Sequence, residues 1–369
     1  VVSRLNRFIV AVFLLACLTG AFFLLRARPH FRAAERNQAI RRGFAFILGM
    51  ARDPKVFAEH DSDLLWCLFS IARTSADPEL STIAWEAARE RAREFHRLHP
   101  VVPADATADD IADLVGGNYS AEMIGFPDNS IKEQLRRAAA RFSSQDFLWY
   151  DPAREPPPSD VPDTCSHCGL QNSRGAKVCR RCGAKLEMQS RYDIWLDSLI
   201  NTFSGEHYGV LLGAHFNDVI RWAPIMRPYR PRTGNPEFIN MVYAATHVVY
   251  TLNEYSKYRL SPACLPDEFE YLKATLHEAV ALEDPETMGE FLDSLRAFGL
   301  TDSDPVIRAG MEYVLRTQNP DGSWGDPKSK SSYERYHSTW TAVDGLREYR
   351  WAEAVCPSIP PPPIKASLR

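Results

Sequence analysis

Three features of the 369-residue chain predict an all-α body with two additions. Segments with a single apolar stripe alternate with segments apolar nearly all round, the pattern of outer helices packed on inner ones. Four cysteines gather within residues 165–182, after a proline-rich break that no helix can cross. Residues 8–25, FIVAVFLLACLTGAFFLL, carry no charge and are long enough to span a bilayer. The expected fold class is therefore all-α, its helices arranged as a ring or a solenoid, with a small β insertion and an N-terminal transmembrane helix.

The uncharged segment comes first. A cleaved signal peptide is its rival, but the run continues through Phe22-Phe23-Leu24-Leu25 into Arg26 instead of ending at a small-x-small site. A lipoprotein signal at Cys17 fits less well, because the apolar run does not stop at the cysteine. Arg26, Arg28, Arg32, Arg36, Arg41 and Arg42 follow the segment, opposed by Glu35, and only Arg4 and Arg7 precede it. That excess predicts a single-pass membrane protein with a cytoplasmic body.

Beyond the anchor, the amphipathic segments are 36–50, 78–98, 130–142, 207–222, 267–282 and 305–318. The segments without a polar face are 64–72, 107–115, 194–203, 238–252, 287–298 and 337–349. Six outer helices thus alternate with six inner ones, and a helix without a polar face must be covered on every side. Apolar content of 45% is ordinary, and a net charge of −4 gives no pull towards nucleic acid, which is not expected as a partner. Many of the 26 prolines lie at 151–162 and 357–363, marking linkers. The chain divides into an anchor (1–28), a first helical half (29–150), a linker and cysteine-rich insertion (151–188), a second helical half (189–352) and a proline-rich tail (353–369).

In the insertion, Cys165-x2-Cys168 and Cys179-x2-Cys182 are separated by ten residues, and Gly169 and Gly183 follow the second cysteine of each pair. A glycine there permits the tight turn that points backbone N–H groups at sulfur. Four thiolates suit tetrahedral zinc and leave no open position, so Zn2+ is expected as a structural cofactor in a zinc ribbon at 163–186. Two disulfides are the alternative in an oxidising compartment, although a CxxC pair closed on itself is strained. His167, Arg174, Lys177, Arg180, Arg181 and Lys185 make the insertion locally basic, which reads as a solvated surface since no aromatic platform lies between the knuckles. Cys67, Cys264 and Cys356 show no pairing logic.

The last compact unit, 304–349, is a helical hairpin. Asp304 is placed to cap and Pro305 to open a helix ending near Gln318, and Asn319-Pro320-Asp321-Gly322 stops it. A second helix is expected to start near Tyr336-His337. The stretch LRTQNPDGSWG (315–325) resembles the glutamine-tryptophan repeat of squalene and hopene cyclases. YHSTWTAVDGL (336–346) is similar to a stretch of protein prenyltransferase β subunits. The resemblance implies a closed (α/α)6 toroid of inner and outer helices, and His337 matches the zinc-binding histidine of the prenyltransferases. It does not extend to either activity. The cyclases' Asp-x-Asp-Asp acid is missing, and the one Asp-x-Cys, Asp163-Thr164-Cys165, shares its cysteine with the insertion.

Candidate cavity residues are His337, Asp61, Asp63 and His247. Glu206 and His207 also fall at an inner-helix end. Each has a plainer reading, the aspartates as helix-start residues and the histidines as hydrogen-bonded core. His337, expected in the first turn of its helix, is predicted to be neutral because the N-terminal dipole disfavours the imidazolium. The functional expectation is a membrane-anchored toroid binding an apolar ligand or partner in its central cavity. The alternative is an enzyme of cyclase or prenyltransferase type acting on an isoprenoid, lipid or polysaccharide.

Overall fold

The computed structural model describes residues 32–362, and the apolar segment 8–25 lies outside the described residues. The described chain is mostly helical. Among the described residues no helix is long and apolar enough to cross a membrane.

Helix starts follow local chemistry closely. Helices α1 (Ala33–Arg52), α2 (Pro54–Thr74) and α3 (Pro78–Leu98) form an antiparallel stack, with Asp53-Pro54 and Asp77-Pro78 each combining a capping carboxylate and a proline in the first turn. The aspartates accept from Lys55 N at 2.8 Å and from Glu79 N at 2.9 Å. Helix α4 (Ala108–Ile124) opens with a capping box between Thr107 and Asp110, and Asp128 caps α5 (Asn129–Ala139). After the short α6 (Ser144–Leu148) the chain enters the ribbon, then α7 (Arg191–Tyr208), two short helices α8 (Phe216–Ile220) and α9 (Ala223–Met226), and α10 (Phe238–Leu252). Strand β1 (Tyr258–Leu260), α11 (Pro266–Val280), α12 (Pro285–Ala297), α13 (Pro305–Thr317), α14 (Ser332–Leu346) and strand β2 (Ala352–Val355) complete it.

Each expected inner segment lies on one helix of a connected series. Helix α2 packs on α4, α4 on α7, α7 on α10, α10 on α12 and α12 on α14, and α14 touches α2 again. Helices α1, α3, α5, α11 and α13 pack against members of this series. The tightest crossing is α12 on α14. A Cβ on Gly289 would sit 2.2 Å from the Thr341 carbonyl oxygen, and one on Gly345 would sit 3.0 Å from the Gly289 Cα, so the two backbones meet with no side chain between them. That approach sets Glu286 and Glu290 of α12 against the His337 turn of α14.

Four sequence expectations are corrected. Residues 207–222 do not form one helix, because α7 ends on Gly209 in the left-handed region (φ 78°) and Gly213 (φ 79°) turns the chain again. Helix α14 begins at Ser332, five residues early, because Ser331 accepts from Glu334 N and caps it. Asp304 occupies the N-cap of α13, but its carboxylate turns back to accept from Thr301 N at 2.7 Å. Cys264 and Cys356 are joined as a disulfide across 92 residues. The parallel pairing of β1 with β2, which neither short strand advertises in sequence, carries residue 260 alongside residue 355 and brings the two thiols together.

Candidate functional site

The ribbon is built from two knuckles. Within each, the glycine after the second cysteine has positive φ (Gly169 66°, Gly183 73°), and its N–H donates to the carbonyl of the first cysteine at 2.7 and 2.8 Å. The sulfurs of Cys165 and Cys182 are 3.6 Å apart, those of Cys168 and Cys179 3.5 Å, and all four lie within 4.8 Å of one another. Four sulfurs about 2.3 Å from one tetrahedral zinc would be about 3.8 Å apart, so the donor set fits that ion. The ribbon's own apolar core has three buried residues, Cys165, Cys179 and Leu186, with a few half-buried neighbours, too little to hold a fold without a metal. It is fastened to its own linker by Arg174, which donates to Asp160 at 2.6 Å and Glu155 at 2.8 Å, and the two ends of the insertion are joined by Gln189 N donating to Val161 O.

Residues 164–186 match the zinc-ribbon domain family. The four thiolates are thus positioned for a structural zinc. A comparison with curated proteins finds no match.

The second site is an open cavity of about 610 Å³ lined by residues of α2, α4, α7, α10, α12 and α14. All four sequence candidates line it. Helix α2 is kinked at His60 (φ −136°, ψ 31°), which starts a fresh helical segment and leaves Asp61 and Asp63 at its first turn, facing the cavity. Asp61 accepts from His99 Nε2 at 2.6 Å and Asp63 from the Tyr336 hydroxyl at 2.7 Å. His247 donates from Nδ1 to Tyr243 O at 2.8 Å, and burial lowers its pKa to about 4. Glu206 and His207 do not reach the cavity. They sit in the last turn of α7, where Glu206 pairs with His215 and His207 bonds Phe203 O.

His337 corrects its expectation. It lies in the second turn of α14, beyond the influence of the N-terminal dipole, with Nδ1 3.1 Å from Glu286 Oε1 as a close ion pair off the hydrogen-bond axis. Burial alone would lower its pKa. The Glu286 carboxylate outweighs burial and raises it to about 9, so the ring is an imidazolium at neutral pH. Burial likewise pushes the Glu286 pKa up, but His337, Ser338 Oγ (3.0 Å) and Tyr243 OH (3.3 Å) outweigh it and hold the carboxylate below its usual range. Among the described residues, His337 belongs to no cluster of metal-ligating groups, so a prenyltransferase-type zinc site is not assembled around it.

Other cavity carboxyls were not singled out by sequence. Asp113 on α4 and Asp197 on α7 are open to the cavity water yet ringed by protein, and desolvation raises them to about 6 and about 7. Asp193, one turn before Asp197, is raised to about 6 by burial and by Glu237. Glu290 accepts from Thr246 at 2.5 Å, and its burial raises it to about 8. A signal existed for these groups: Asp193/Asp197 and Glu286/Glu290 are i,i+4 carboxylates on helices with no solvated face, where charge has no structural reason to be. Trp66, Tyr255, Tyr333, Tyr336 and Trp340 supply the aromatic wall, with Tyr333 stacked on His337 at 4.8 Å.

Proposed function

We propose that the helical body is an (α/α)6 toroid whose central cavity is the active site of an enzyme acting by acid–base chemistry on a polyhydroxylated substrate, a glycan. The observation that carries this reading is a set of carboxyls on four helices gathered in one aromatic-walled cavity, with surroundings that push their pKa values in opposite directions. Glu286 is anionic beside the His337 imidazolium, and Asp197 retains a proton up to about pH 7. Carboxyls driven apart in pKa are what glycoside cleavage requires, one donating a proton to the leaving oxygen and one acting as base or nucleophile at the anomeric carbon. We assign Asp197 the first role and Glu286 the second. Tyr333, Trp66 and Trp340 line the cavity and supply the aromatic surface that sugar rings pack against. So acidic a lining fits an apolar ligand less well than a polar one.

The test is release of reducing ends from a panel of oligosaccharides by the purified protein. Cleavage of at least one member, lost in both Asp197→Asn and Glu286→Gln, supports the assignment. No cleavage of any glycan, or cleavage unchanged in both variants, rejects it.

We propose that residues 8–25 anchor this body to a bilayer, supported by their length, lack of charge and flanking arginines. The Cys264–Cys356 disulfide supports an oxidising side for the body, against the cytoplasmic orientation favoured by the arginines. We weigh the covalent bond above the charge excess, since thiolates bound to zinc are themselves shielded from oxidation. Labelling of the body on intact cells by an impermeant amine reagent is the expected result, and protection from it would restore the cytoplasmic orientation.

A further inference from the structure

We infer that the substrate of this cavity carries protonated amines, as an amino-bearing glycan does, and that the cavity rejects anionic glycans such as polyuronates. The inference rests on the cavity being the active site and names its substrate class.

Four observations support it. First, eight carboxyl groups line the cavity and, among the described residues, no lysine or arginine does. The one strong cation present, His337, is already matched by Glu286. Second, Asp113, Asp193 and Asp197 have no hydrogen-bond or ion-pair partner for their side chains among the described residues. Their side chains face an accessible cavity whose surrounding protein desolvates them, and an ammonium group beside Asp113 or Asp193 would relieve that, while Asp197 keeps its proton for the acid role. Third, the carboxyls are spread along the walls. Among the described residues only the ribbon cysteines form a group of three or more ligating side chains close enough to share one ion, so the cavity acids are arranged for an extended ligand with several charges and not for one metal ion. Fourth, the aromatic wall already covers a cation, since Tyr333 stacks on the His337 ring with planes 21° apart. Trp66 and Trp340 offer comparable faces to an ammonium group. A uronate in the same place would meet carboxylates on most sides and find no free cation.

The probes are the hexamers of glucosamine, N-acetylglucosamine and galacturonate, equal in length and positively charged, neutral and negatively charged. Binding to the full chain is measured by calorimetry at low and high salt. The glucosamine hexamer should bind at least about tenfold tighter than the acetylated one, with affinity falling as salt rises, and the galacturonate hexamer should not bind. Asp113→Asn with Asp193→Asn should remove most of that preference. Asp193→Asn alone, at the edge of the same wall, provides a second reading should the double variant melt early. Equal or tighter binding of the acetylated or uronate hexamer overturns the inference, as does binding of spermine without binding of the glucosamine hexamer. A glucosamine hexamer that binds without being cleaved would leave this inference standing and remove the hydrolytic assignment. Cleavage of the neutral hexamer with no preference for amines would do the reverse.

Discussion

The ribbon and the cavity solve the same problem, bringing several ligating groups to one place, in opposite ways. In the ribbon four thiols come from 18 consecutive positions, and backbone turns at Gly169 and Gly183 place them, with almost no apolar core beneath. In the cavity the carboxyls come from four helices between residues 59 and 290, and rigid packing places them, as at the backbone contact of Gly289 with Thr341. Local geometry held by a metal is fragile when one ligand is lost. A site distributed over a large core should instead lose function without losing its fold.

The largest contrast is expected from Cys168→Ser. It should remove stoichiometric zinc and unfold residues 164–186, while the far-ultraviolet helix signal of the body persists. Collapse of the whole helical signal would erase the distinction between the two regions.

Glu286→Gln is the matching change in the cavity. Activity should fall by about 10²–10⁴-fold with the fold intact. The His337 pKa should drop from about 9, because the largest influence opposing burial is gone and only Asp63 and Glu290 remain to raise it. Histidine ring shifts followed by NMR against pH report this directly, and an unmoved His337 titration would show that another group supports the imidazolium.

Gly289→Ala tests the packing that sets this pair in place. The added methyl meets the Thr341 carbonyl, so a loss of about 1–3 kcal/mol is expected, read from denaturant midpoints. An unchanged midpoint would mean the α12–α14 contact is looser than described.

The smallest effect is on stability against pH. Asp113, Asp197 and Glu290 have folded pKa values raised to about 6, about 7 and about 8. Their contribution is therefore full below the unfolded carboxyl values and is lost as pH rises through the folded ones. His337 acts in the same sense, contributing fully below about 6.5 and losing its contribution as pH rises through about 9. Glu286, with a lowered pKa, contributes above its ordinary value and loses that contribution on acidification. Melting temperature should decline from about pH 5 to pH 9, and less steeply in Asp197→Asn. A melting temperature that climbs over that interval would contradict the raised values.

The same contrast explains what could be read in the sequence. Cys165, Cys168, Cys179 and Cys182 were legible because their chemistry lies in short-range spacing, and the inner helices because a missing polar face is a local property. Asp61, Asp63, His247 and His337 line one cavity, but the partners that define them could not be read from the sequence. Glu286, which fixes the charge of His337, is 51 positions away in sequence, and nothing at either position names the other. The helix start at Ser331 moved His337 out of the first turn and so reversed the charge expected from the dipole. The Cys264–Cys356 bond depended on a two-strand pairing too short to leave a pattern.

The central claim is that Asp197 and Glu286 divide acid and base work in one cavity, and the pH dependence of kcat/KM on a cleaved glycan tests it most directly. The account expects a bell whose acidic limb lies below the ordinary glutamate range and whose basic limb lies near pH 7, where Asp197 gives up its proton. The basic limb should vanish in Asp197→Asn. A rate that stays flat through pH 7, or a basic limb unchanged in that variant, would contradict it.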